Sequence, residues 1–268
     1  ELYVGCAGGV DTTAKFAYTP VEVEEGDVAV KVSITGCKGG HSGCDIHLQR
    51  ANANKLLFRF LKEAVANYEA RLASVEGGSL RNAIPREASA IITVPAEGVE
   101  DIMDLVAECE DLFVAEYDGV EDNIRLTAEE VACPSMELPE DVQDFLIHAV
   151  TACPHGVYRV IPEMPDVVET SNNLAMLTTT EDCVTVMCLT RSSVESRKEE
   201  LQEIIHSVFA MAGAEVAFSG SYPGWKPNLK SHILEVMKNT YHSNYGVEPR
   251  VIIIHAGLEC GIIGRNYP

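Results

Sequence analysis

The stretch DVAVKVSITGCKGGHSGCDIHLQRANANKLLFRFLKEAVANYEARL, residues 27–72, decides the fold. In its first ten residues Val28, Val30, Val32 and Ile34 alternate with smaller or polar side chains, which predicts a half-buried strand. A glycine-containing loop follows. Beyond it Leu57, Phe60, Leu61, Ala64, Val65, Tyr68 and Leu72 recur at spacings of three and four, the signature of an amphipathic helix. The apolar period therefore switches across one loop, as in a strand–loop–helix unit. Further along, Gly77-Gly78 breaks the chain, and REASAIITV alternates again through Ala88, Ala90, Ile92 and Val94. A second helical face carries Val99, Ile102, Met103, Val106, Cys109 and Phe113. NIRLTA then reads as a short closing strand. The order is strand, helix, strand, strand, helix, strand.

The second half repeats this order in pattern, though not in identity. Pro139 opens a helix carrying Val142, Phe145, Leu146 and Val150, with proline well placed for a first turn. GVYRVI is a short strand. VVETSNNLAMLTTT and CVTVMCLTR are two more, joined by a tight turn at Glu181-Asp182. A helix through Leu201, Ile204, Ile205, Val208 and Phe209 stops at Gly213, a candidate left-handed cap. AEVAFSG ends the unit. The expected class is α+β: two ferredoxin-like αββαβ units, about 21–128 and 137–220, sharing a mainly antiparallel sheet with helices on one face.

The tail departs from this rhythm. SYPGWKPN is a linker bounded by proline and glycine, and a helix is expected from about Lys230 to Tyr241. VIIIHAGLECG then runs four branched apolar residues into a polar turn. Such a run suits a parallel strand, and the loop at its carboxyl end is where open α/β sheets place their sites. Residues 221–268 are read as part of an α/β domain, and residues 1–20 as a junction leading into 21–220. The chain has no initiator Met, opens strand-like on ELYVGCAGGV and stops at GRNYP, so a piece of a longer protein is expected.

Composition narrows the partners. The 268 residues are 46% hydrophobic and carry a net charge of −21, which disfavours nucleic acid because phosphate contacts need a concentrated basic patch. No eighteen-residue apolar run and no basic-apolar leader is visible, so neither a membrane span nor a signal peptide is expected. The nine cysteines are odd in number and sit mostly in apolar stretches, as Cys183 and Cys188 do. That fits thiols in a reducing cytoplasm better than a disulfide framework.

Four places offer chemistry. Cys37-x3-His41-x2-Cys44-x2-His47 has zinc-ligand residue types. Structural zinc sites usually come as two separated pairs, however, and this loop runs straight into a helix. Packing roles for Cys37 and Cys44 are the plainer reading. His41 stands apart, because Gly39, Gly40 and Gly43 let the backbone approach a ligand closely. Asn82, in GGSLRNAIPRE, reads either as a turn residue or as a ligand contact. Arg191, at the end of VMCLTR, is either a surface cap or a fork for a carboxylate. In HAGLECG, His255 and Glu259 would share a helix face and make a metal pair. A turn there would instead present a backbone N–H near Gly257 to an anion.

Taken together, GCAGG, KGGHSG, NANKLL with RFL, LRNAIPREA, YPGW and IIHAGLECG resemble the Xaa-His dipeptidases, also called aminoacyl-histidine or cytosolic non-specific dipeptidases, of the dinuclear zinc metallopeptidase clan. The resemblance runs from Glu1 to Pro268 and is least distinctive around residues 95–150. It implies an α/β catalytic domain holding two zinc ions and an inserted lid, here residues 21–220. The metal ligands and the general-base glutamate of the family have no counterparts in this chain, so no bound catalytic zinc and no turnover are expected of it alone. The resemblance implies that His41 stabilises the oxyanion, that Asn82 and Arg191 hold a dipeptide, Arg191 at its C-terminal carboxylate, and that Gly257 meets substrate through its backbone. It implies a cytoplasmic enzyme and allows a homodimer. A non-catalytic dimerisation or lid module is the alternative.

Overall fold

The computed structural model describes residues 1–267. In chain order the principal elements are β1 (Leu2–Cys6), β2 (Gly8–Ala17), β3 (Asp27–Thr35), α1 (Ala53–Asn67), β4 (Arg71–Gly77), β5 (Ala88–Pro95), α2 (Val99–Glu116), β6 (Arg125–Val131), α3 (Glu140–Ala152), β7 (Gly156–Ile161), β8 (Met164–Thr179), β9 (Cys183–Ser192), α4 (Glu195–Met211), β10 (Glu215–Tyr222), α5 (His232–Tyr245), β11 (Val251–Ile254) and α6 (Glu259–Asn266). Helix α1 starts where it does because the Asn52 side chain accepts the Lys55 N–H, satisfying one of the free donors of its first turn. Its inner face, Leu57, Phe60, Leu61 and Ala64, is fully buried. Burying each large side chain of that kind contributes about 1.5–3 kcal/mol.

Nine strands form one sheet in the order β10-β2-β9-β8-β4-β5-β3-β6, with β7 also paired to β8. All of its pairings are antiparallel. In the first unit the strands β3, β4, β5, β6 lie in the spatial order β6-β3-β5-β4. In the second unit β2, β8, β9, β10 lie as β10-β2-β9-β8, the same arrangement. The units therefore meet through equivalent strands, β4 and β8, at Leu177 and Gly77. Thr179 closes this seam. Its Oγ1 accepts the Val75 N–H at 2.9 Å and donates to the Val75 carbonyl at 2.8 Å. One hydrophobic core runs beneath both units, from Val32, Ile34 and Phe60 to Val186, Ile205 and Phe209. Phe16 meets Phe209 edge-on, with ring centres 6.2 Å apart.

The two-unit α+β architecture stands as read, with one change. Residues 8–17, assigned above to a junction, form an interior strand that pairs with β9 on one side and β10 on the other. The second unit is thus discontinuous, and the first is inserted between its β2 and α3. The helical spacing also over-reached in places. Leu72 is on β4, not α1, and Phe145 is 51% exposed on α3. In the tail, β1 and β11 pair in parallel, as the apolar run predicts, but Val251–Ile254 is only half-buried. Helix α5 begins at His232 and extends to Tyr245.

Candidate functional site

The loop after β3 turns on Gly39 and Gly40, whose φ values of 60° and 147° are poorly tolerated by residues with a Cβ. It then pairs with the segment after β4 as a two-residue ribbon, Gly40 opposite Ile84 and His41 opposite Ala83. The Ser42 N–H donates to the Asn82 carbonyl at 2.8 Å, so His41 and Asn82 sit on adjoining backbones. Both line an open cavity of about 1000 Å³ at the helix-free face of the first unit's sheet. Within the loop the His41 N–H donates to Asp45 Oδ2 at 2.8 Å. The His41 ring accepts at Nδ1 from the Gly43 and Cys44 N–H groups, each at 3.0 Å. Nδ1 therefore carries no proton, and the neutral ring has its N–H at Nε2. Partial burial and the nearby Arg191 guanidinium both lower the pKa of this ring, against an opposing pull from Asp45.

Arg191 is 5% exposed on β9. Its Nε lies 3.3 Å from Ser42 Oγ, and its Nη1 donates to Tyr222 Oη at 2.8 Å. Among the described residues no carboxylate pairs with this guanidinium. Tyr222 packs on the Cα positions of Gly9 and Gly257; a Cβ at either glycine would fall 2.7 or 2.9 Å from its ring. Gly257 thus reaches the group through Tyr222. His255 joins it from the tail, with Nε2 2.8 Å from Ser171 Oγ, and its carbonyl fills the space where a Cβ of Gly43 would lie. Burial pushes the His255 ring down to about 3, helped by Arg191 and the His41 and His47 rings. Arg191 and Gly257 do not line the large cavity; Ser42 and Tyr222 connect them to it.

Residues 32–121 match the family profile described as the peptidase dimerisation domain. Along all 268 residues the chain is 39% identical to the cytosol non-specific dipeptidase of Escherichia coli strain K12, covering 55% of that protein. It superposes on the crystal structure of aminoacylhistidine dipeptidase from Vibrio alginolyticus with a TM-score of 0.96 and 42% identity, covering 99% of this chain and 54% of that one. Along its whole length the chain is thus similar to part of each of these two dipeptidases. It spans about half the length of these two relatives.

The four Cys and His residues of the opening motif do not converge on a metal. Cys37 is buried, its thiol pushed up to about 12 by burial and by Glu121. His41 Nδ1 is already taken by two N–H groups, while Cys44 and His47 are exposed. The packing role expected of Cys44 is therefore wrong, and His47 lies on a short 3-10 turn, Ile46–Leu48, rather than at the start of α1. His255 and Glu259 do not share a helix face either, because α6 begins only at Glu259. Among the described residues no three His, Cys, Asp or Glu side chains are grouped to hold a metal ion. The described residues do not fit the metal centre that the sequence resemblance implies. Sequence reasoning missed Ser42, Tyr222, Ser171 and Asn173. Their only signal is position: Ser42 is inside the glycine loop, Tyr222 opens YPGW, and the other two sit in the SNN run of β8.

Proposed function

We propose that this chain is the lid, with an adjoining strip of catalytic domain, of a cytoplasmic metal-dependent dipeptidase. Its substrates would be Xaa-His and other dipeptides with free C-termini. The names of the two relatives, one of them a cytosol protein, support the reaction class and the compartment. The observation that carries the reading is a buried Arg191, without a carboxylate partner among the described residues and held against Ser42, next along the chain to a neutral His41 whose Nε2–H is its free donor. Arg191 offers a planar fork for the substrate's terminal carboxylate. His41 offers a hydrogen-bond donor for an oxygen that gains negative charge as the peptide carbonyl is attacked. Asn82 lies beside His41 on the same cavity wall and contacts the dipeptide. Gly257 approaches it through its backbone. The two zinc ions of this reading would be held outside the residues described, so the segment is inactive alone. The matched dimerisation domain supports a homodimer.

The test uses the full-length protein. Arg191→Ala is expected to lower kcat/KM on free dipeptides about 100-fold, since a charge-assisted pair contributes about 1.5–3 kcal/mol. On C-terminally amidated dipeptides the loss should shrink to a few-fold. Equal losses on both substrates would refute carboxylate binding. A non-catalytic dimerisation module is the second reading, favoured by the matched domain alone. Dipeptide turnover by the full-length protein that falls with His41→Ala or Arg191→Ala at an unchanged oligomeric state excludes it.

A further inference from the structure

Asn173 lies at the middle of β8, fully buried, and its carboxamide does not bond within its own strand. Its Nδ2 donates both hydrogens across the seam between the two units, to the Arg81 carbonyl at 3.0 Å and the Ala83 carbonyl at 2.8 Å. These carbonyls flank Asn82. The third carbonyl of the run, that of Asn82 itself, accepts from Ser42 N–H. Ala83 in turn is the ribbon partner of His41. One amide of the second unit therefore grips the backbone on both sides of Asn82 and, one step further, the strand that carries His41. The grip leaves Asn173 Oδ1 buried without a partner. An unpaired buried acceptor costs about 1–3 kcal/mol, yet the flipped amide would set that oxygen against two carbonyls, so the two N–H bonds fix its orientation.

We infer that Asn173 is a positioning residue that aims Asn82 into the cavity, acting from the neighbouring unit. The inference rests on the functional reading given above. Two N–H donors spaced to catch carbonyls i and i+2 fix the peptide planes on either side of the residue between them. The Asn82 side chain, which makes no hydrogen bond of its own among the described residues, then depends on its backbone for direction. No other common side chain of this size supplies two hydrogens from one atom without charge. An aspartate at this position would turn an oxygen toward both carbonyls, and a serine would supply one hydrogen at most.

The adjacent Asn172 is a built-in control. It is buried to the same degree on the same strand, but its Nδ2 donates to the Pro154 carbonyl at 2.7 Å and its Oδ1 accepts from Thr190, away from Asn82. Dipeptide hydrolysis by the full-length protein is measured for Asn173→Asp, Asn172→Asp, Asn82→Ala and the double variant Asn173→Asp/Asn82→Ala, with melting temperatures recorded alongside. Asn173→Asp is expected to reduce kcat/KM at least tenfold. Asn172→Asp should leave it within about threefold at a similar loss of melting temperature. On the Asn82→Ala background, Asn173→Asp should remove less than a further twofold, because a group that acts through Asn82 has nothing left to aim. Equal losses on both backgrounds, or equal losses for Asn172→Asp and Asn173→Asp, overturn the inference. If Asn173→Asp does not fold, Asn173→Ser takes its place in the same cycle. An Asn82→Ala variant of full activity would instead overturn the role given to Asn82 itself, which separates failure of the functional reading from failure of the clamp.

Discussion

At the scale of single residues the site is a matter of which hydrogen-bonding capacity is already used. His41 commits Nδ1 to two backbone N–H groups, which forces its proton to Nε2 and keeps the ring neutral. Protonating Nδ1 would set three N–H groups against one another. In the full-length protein His41→Ala is expected to lower kcat by about 100-fold, the usual loss for one oxyanion donor. Bound metal, measured by elemental analysis, should not change. Loss of metal with that substitution would show that His41 is a ligand and not a donor. The tight loop that holds His41 was legible in the sequence because three glycines surround the residue. Arg191 was legible as a fork at a strand end, yet its burial was not, since an arginine after an apolar strand reads equally well as a surface cap. Tyr222 and Asn173 were not legible at all. Their roles come from packing and bonding across more than 30 and 90 residues of chain, and no local pattern encodes that.

At the scale of elements the period-two and period-3.6 patterns placed the strands and helices well, because each amphipathic face meets one shared core. They failed where a side chain left that core, as at Phe145 on α3, or where β2 joins β9 and β10 from far along the chain. The end of α3 shows what the patterns omit. Lys55, on α1, points its ammonium group at the last turn of α3. It donates to the carbonyls of Val150, Thr151 and Cys153 at 2.7, 2.9 and 2.5 Å. A cation there satisfies carbonyls that have no helical partner and faces the negative end of the helix dipole. Burial lowers the Lys55 pKa, but the group has three acceptors to hold its charge. Lys55→Met preserves the stem and removes the charge. It is expected to destabilise the fold by about 2 kcal/mol, read as a lower urea midpoint. An unchanged midpoint would mean that water serves those carbonyls equally well.

At the scale of the whole molecule, the tail strip is tied to the sheet through His255 and Ser171, and acid should loosen that tie. The His255 ring is held near 3 in the fold, against about 6.5 for a free histidine. Because the folded value is the lower one, the stabilisation is complete above pH 6.5. It falls away as pH drops toward 3, by up to about 1.4 kcal/mol per unit. The charges of Arg191, His41 and His47 all disfavour its protonation. Urea midpoints recorded from pH 7 to pH 5 should therefore decline, and His255→Gln should flatten the decline. A slope that His255→Gln leaves untouched would place the acid sensitivity elsewhere. No local pattern marks where the second unit begins, because its first strand, β2, lies ahead of the whole first unit in the chain. That insertion bears on how the chain is made. As synthesis proceeds from the N-terminus, the first unit has all four of its strands in hand once Val131 emerges. Strand β2, made before any of them, must stay unpaired until β9 appears, since Ala17 pairs with Cys183. For that interval an unpaired strand is exposed in the nascent polypeptide, and its protection depends on the order of emergence rather than on the finished contacts.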